Sequence, residues 1–92
     1  MADERRLDGN AIGGLLLELF GVEMTTATGI CGSCGAMNEM AGTEVYLDAP
    51  GVVVRCASCK AVQLTIVRAP DRTWLNMSGL QAIEIRATGT SR

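Results

Sequence analysis

Two short segments of this chain can do chemistry together: Cys31-Gly32-Ser33-Cys34 and Cys56-Ala57-Ser58-Cys59. Two residues between cysteines let one tight turn aim both sulfurs at a single ion, while backbone N–H groups of the turn offset the thiolate charge. A second such turn, brought back by the intervening residues, completes a tetrahedron with metal–sulfur bonds of about 2.3 Å. The stretch between the pairs, residues 35–55, is twenty-one residues long. That is slightly beyond the usual ~15–20, and a longer hairpin absorbs the difference. Gly35, directly after the first pair, suits the left-handed position where the chain leaves such a turn. The spacing therefore predicts one Zn²⁺ per chain, held by Cys31, Cys34, Cys56 and Cys59. Four thiolates leave no open coordination position, so this ion is structural rather than catalytic. Its binding free energy, ~10–16 kcal/mol in small zinc peptides, becomes folding free energy. A rubredoxin-like iron centre, a dithiol redox pair and disulfides use the same residues. Against iron, such carriers resemble C-x2-C-G at both turns with several aromatics; here Lys60 follows the second pair, and Phe20, Tyr46 and Trp74 are the whole aromatic content.

The elements that must position these cysteines follow from periodicity. Residues 1–8 are polar and read as a flexible arm. Asp8 or Asn10 can cap a helix over 10–21, which Gly21 can end in the left-handed conformation. At 100° per residue, Ile12, Leu15, Leu16, Leu19 and Phe20 form one apolar stripe. Gly13 and Gly14 each cost ~1 kcal/mol of helix propensity. So short a helix must dock its stripe, on its own sheet or on a partner. From Met24 the period changes: 24–86 reads as ribbon and sheet. Thr25, Thr26 and Thr28 favour a strand running into Cys31. Glu44 to Asp48 alternates, Ala49-Pro50-Gly51 turns, and Val52 to Arg55 leads into Cys56. Val62, Leu64 and Ile66 alternate with Gln63, Thr65 and Val67, Ala69-Pro70-Asp71 turns, and Arg72 to Met77 returns. Ser78-Gly79 breaks the pattern, Ile83 to Arg86 makes a last short strand, and 88–92 is a tail. No repeat or linker divides the chain. The fold class is small and mainly β: a single zinc-ribbon domain over 1–92, an antiparallel sheet with two cysteine knuckles and one short N-terminal α-helix.

Composition bounds the function. At 92 residues there is room for one domain and hardly for an enzyme with its own cleft. The chain has no His, which excludes Ser-His and Cys-His nucleophiles. No catalysis is expected; Asp71, Arg72 and Trp74 share a hairpin, but Asp and Arg in a turn read as structural. The longest apolar run, Ile12 to Phe20, is broken by Glu18 and falls short of the ~20 residues that span a bilayer. No secretion signal is legible, so the cytosol is expected, where reducing conditions favour thiolate ligands over disulfides. Residues 1–54 carry two Arg against eight acids, net −6, and residues 55–92 six cations against two acids, net +4. Mutual attraction of the two halves accounts for this, or a basic face aimed at an anionic partner.

These residues are also familiar. Leu7-Asp8-Gly9-Asn10, the C-x2-C-G turn, Ala49-Pro50-Gly51-Val52 and Arg55-Cys56-x2-Cys59 resemble a family of short actinobacterial proteins. Val67-Arg68-Ala69-Pro70, Trp74-Leu75 and Ser78-Gly79-Leu80 continue the resemblance, which covers roughly 7–86. The family is catalogued as a domain of unknown function, and the resemblance implies zinc on the four cysteines. The chain departs from it at Lys60, where Gly is expected, and at Asn76, where Asp is expected.

Three functions fit. A structural zinc ribbon can serve as a protein-interaction module, docking or self-associating through its hairpin surface or the Ile12–Phe20 helix, with five Met suited to an adaptable surface. A nucleic-acid-binding ribbon could use Arg55, Lys60, Arg68, Arg72 and Arg86, against an overall acidic charge and few aromatics for stacking. A rubredoxin-like electron carrier needs iron in place of zinc.

Overall fold

The structure is a computed structural model and describes residues 6–48 and 51–85. Among these the chain forms one α-helix and two antiparallel sheets. Its first strand, β1, is Arg6–Asp8, paired with residues 44–46. Of the arm expected over 1–8, residues 6–8 are strand and 1–5 lie outside the described residues. Three residues, Arg-Leu-Asp, are too few to carry a period-two signal, and the open edge of residues 44–46 pairs with them. Asp8 then accepts a hydrogen bond from the Asn10 N–H at 3.1 Å, as its type suggests. The turn it caps is a 3₁₀ helix, Gly9–Ile12, and the α-helix proper, α1, spans Gly13–Phe20. Gly21 ends it with φ 76°.

The apolar stripe of α1 docks on its own chain. Ile12 and Leu16 are buried in the core, and Leu15, Leu19 and Phe20 pack against it; Leu17, outside the stripe, is 47% exposed. Met24 and Ala27 follow into the same core. Thr25 and Thr26, expected in a strand, instead make a turn, closed by the Ala27 N–H on the Met24 carbonyl at 3.0 Å. Thr25 also donates to the Glu23 carboxylate, the local side-chain bonding that competes with a strand ladder.

Strand β2, Thr28–Cys31, pairs with β3, Met37–Glu39, on one side. A 3₁₀ turn, Met40–Gly42, leads to β4, Glu44–Asp48, which pairs with β5, Gly51–Arg55. Of the expected Ala49-Pro50-Gly51 turn, residues 49–50 lie outside the described residues. Strands β6, Val62–Ala69, and β7, Arg72–Asn76, form a tight hairpin with Ala69 opposite Arg72. The last strand, β8, is Leu80–Glu84, earlier than the expected 83–86, and pairs with β2. Its side chains are mostly exposed and give little alternation to read.

One sheet was expected and two are present: a five-stranded sheet β1-β4-β5-β6-β7 and a three-stranded sheet β3-β2-β8. Val45, Val54, Leu64 and Ile66 line the covered face of the larger sheet and meet Ile12, Leu16 and Met40 in the core. The charge asymmetry resolves partly into ion pairs between the halves, Lys60 with Glu44 and Arg68 with Glu18. Such exposed pairs contribute ~0–1 kcal/mol each. No helix of the described residues is long and apolar enough to cross a membrane.

Candidate metal centre

Each cysteine pair occupies the turn of a hairpin, and the two hairpins belong to different sheets. Cys31 ends β2, and the chain returns as β3; Cys56 follows β5, and the chain returns as β6. The two turns are built alike. The Cys31 N–H donates to the Ala36 carbonyl and the Cys31 carbonyl accepts from the Gly35 N–H, both at 2.9 Å. The Cys56 N–H donates to Ala61 and the Cys56 carbonyl accepts from Lys60, again both at 2.9 Å. The shared pattern Cys-x-Ser-Cys-x-Ala over 31–36 and 56–61 is an internal repeat that the sequence reading missed. Both turns leave through a left-handed residue, Gly35 at φ 79° and Lys60 at φ 69°. Lys60 therefore holds a conformation that costs a side-chain-bearing residue roughly 1–2 kcal/mol. Arg55 braces it by donating from Nη1 to the Lys60 carbonyl at 2.8 Å.

The four expected ligands come together: Cys31, Cys34, Cys56 and Cys59 have their sulfurs within 4.8 Å of one another. The close pairs cross between the turns, Cys31 to Cys59 at 3.7 Å and Cys34 to Cys56 at 3.8 Å. A tetrahedron with metal–sulfur bonds of about 2.3 Å has edges of about 3.8 Å. Disulfide sulfurs lie near 2.05 Å, so these four are free thiols in an arrangement that can hold a metal ion. In each turn the first cysteine is buried and the second exposed.

Backbone donors tune the sulfurs unequally. The Cys34 and Ser33 N–H groups, aided by the Gln63 side chain and by Cys59, bring the Cys31 thiol down to about 6 against desolvation. Desolvation works to raise the Cys56 thiol, yet the Cys59 and Ser58 N–H groups and the sulfurs of Cys34 and Cys59 hold it below its ordinary value. For Cys34 the balance reverses. The Ala36 N–H pulls it down, but desolvation and the three neighbouring sulfurs push its thiol up to about 11.

Two residues that the alternation did not single out help to shape the centre. Gly79 accepts from the Gly32 N–H at 2.9 Å, and a side-chain carbon on it would overlap the Val62 carbonyl and lie 2.7 Å from the Gln63 Cα. The 77–80 loop thus touches both hairpins, and only glycine allows this approach. The second residue is Gln63, expected to face away from the core and found 2% exposed. Val54 pairs with Leu64 but Arg55 with Val62, so Gln63 is the extra residue of a β-bulge. Strict alternation fails there, and the polar residue inside an apolar run was the available signal.

Three of the cations pooled by the sequence are ion-paired. Lys60 pairs with Glu44, Arg68 with Glu18 on α1, and Arg72 with Asp71, while Arg86 lies outside the described residues.

Fold and site together define a small two-sheet β protein joined at a four-cysteine cluster. The chain belongs to the family of unknown function DUF6510, which matches residues 2–88. No curated protein and no solved structure matches it.

Proposed function

We propose that this protein is a structural zinc protein, a ribbon-type module in which one Zn²⁺ per chain ties the two cysteine hairpins together and which performs no catalysis of its own. The observation that carries this reading is the set of sulfur–sulfur distances across the turns, 3.7 and 3.8 Å, which match the edges of a tetrathiolate tetrahedron. Backbone N–H groups aimed at Cys31 and Cys56 supply the charge compensation that such a site needs. The module works as an accessory to a protein partner. Because the helical stripe is spent on the chain's own core, the surface proposed for docking is β7, an edge strand with every residue exposed, including Trp74 at 54% and Leu75 at 40%.

Elemental analysis of untagged protein, with native and denatured masses compared, tests the metal. One zinc per chain is the expected result. One iron with a red Fe(III)–thiolate colour would replace this reading with that of an electron carrier. Cys31→Ser and Cys56→Ser should each lose the ion and unfold the ribbon that it ties together, beginning with the smaller sheet.

A further inference from the structure

A sheet edge presents backbone N–H and C=O groups that another strand can pair with, and proteins blunt such edges with short strands, charges or bulges. Among the described residues the edge strands are β1 and β7 in the larger sheet, β3 and β8 in the smaller. Strands β1 and β3 are three residues each and carry charges, Arg6 and Asp8 in one and Glu39 in the other. Strand β8 carries Glu84 and is broken by the bulge that skips Gln81. Only β7 lacks these devices. Its register with β6 runs unbroken, and Thr73-Trp74-Leu75-Asn76 is uncharged. The two-residue turn Pro70-Asp71 makes Ala69 and Arg72 the closing hydrogen-bonded pair. By alternation Arg72, Trp74 and Asn76 bond to β6, while the N–H and C=O of Thr73 and Leu75 face the open edge.

We propose that β7 pairs with β7 of a second copy of this chain, antiparallel about a two-fold axis at Trp74, so that two five-stranded sheets become one. This rests on the reading of β7 as the docking surface and names its occupant. The strand is complementary to itself in that register. Thr73 of each copy faces the partner's Leu75, and these are the residues whose backbone groups are open, so each pair exchanges both backbone bonds. Trp74 faces the partner's Trp74 at a non-hydrogen-bonded position, where cross-strand side chains come closest and aromatic pairs stabilise. Arg72, the one charge of the strand, meets the partner's Asn76, so no like charges oppose each other. No other symmetric register pairs the whole strand. An edge of five residues is a small interface, and the dimer is therefore concentration-dependent rather than obligate.

Sedimentation of the full chain across a concentration series reaching the millimolar range tests this. Wild type is expected to pass from monomer to dimer. Trp74→Lys and Trp74→Glu each set like charges face to face and should weaken the dimer more than about tenfold. An equimolar mixture of the two should restore a mixed dimer, and Gln81→Lys, on the β8 edge, should leave the wild-type dimer unchanged. Should the Trp74 variants not fold, Thr73→Pro removes an open-edge N–H without touching a β6 bond and should also abolish the dimer. A dimer that the Trp74 or Thr73 variants leave intact would overturn the proposal, as would a mixture that stays monomeric. Wild type that is monomeric throughout overturns it too, and hydrogen exchange then separates this failure from that of the docking surface. Fast exchange at Thr73 and Leu75 leaves β7 open to a different protein's strand; slow exchange shows the edge covered within the chain and removes the docking surface as well.

Discussion

Gly35 and Lys60 sit at the same place in two matching turns, with nearly the same φ. The amide of each donates to the carbonyl of the first cysteine in its turn, which forces the chain through the left-handed region whatever the side chain. Lys60 stays there because Arg55 holds its carbonyl and Glu44 its ammonium group. Removing the side chain without relieving the backbone should separate these terms. Lys60→Gly is expected to be more stable than Lys60→Ala by about 1 kcal/mol, measured by denaturant unfolding of the metal-loaded proteins. Equal stabilities would show that the turn does not strain Lys60. Protons provide a second check. With the Cys31 thiol lowered to about 6 and that of Cys34 raised to about 11, at neutral pH the ion-free site holds one ionised and one protonated sulfur of this pair. Ligation needs thiolates, so binding must expel the Cys34 proton, and each proton released makes the apparent affinity rise about tenfold per pH unit. Calorimetry at pH 7.5 in two buffers of different ionisation enthalpy should therefore report proton release; a buffer-independent heat would contradict it.

At the scale of elements, periodicity was sound wherever the chain kept one period. Helix α1 carries its stripe into the core as spacing requires, and β4, β5, β6 and β7 lie close to where alternation puts them. Leu16 is fully buried and its neighbour Leu17 is half exposed, so paired substitutions measure the docking directly. Leu16→Ala should cost ~2–5 kcal/mol, and Leu17→Ala no more than about 0.5 kcal/mol, by the same unfolding measurement. Comparable losses at both positions would mean that the helix packs otherwise. Periodicity breaks down at the ends and irregularities. Thr25 and Thr26 favour strands, yet local hydrogen bonds turn them; β1 and β3 are three residues each, too short for a period to register. Gln63 was assigned to the wrong side because an extra residue inverts every alternation that crosses it.

The whole molecule is two sheets of unequal strength. The five-stranded sheet carries four of the core side chains and meets the helix, whereas β3-β2-β8 is short and adds only Ile83, packed against that core. The cysteine cluster joins them, one hairpin from each. Chelation of the ion should then loosen the smaller sheet first. Hydrogen exchange after metal removal is expected to speed up in β2 and β8 before β5 and β6, since local opening follows the elements with least buried apolar contact. Uniform loss across both sheets would mean that the ion is needed for the whole core. The 77–80 loop also connects the sheets. Gly79→Ala drives a side-chain carbon into the β6 backbone, which overpacking data place at ~1–3 kcal/mol, and should weaken ion retention as well as stability.

The four candidate cysteines, the helix with its apolar stripe and the two central hairpins were legible in residue types and spacing, because each depends on neighbours a few positions away, whereas the docking of that stripe on the chain's own core was not. Family membership too rests on sequence alone. The division into two sheets, the strand status of Arg6–Asp8, the pairing of β8 with β2 and the inward turn of Gln63 were decided by tertiary structure. Each of these depends on which distant backbone offers a free edge or a cavity of the right shape. Hydrogen-bond partners that far apart leave no periodic trace in the chain.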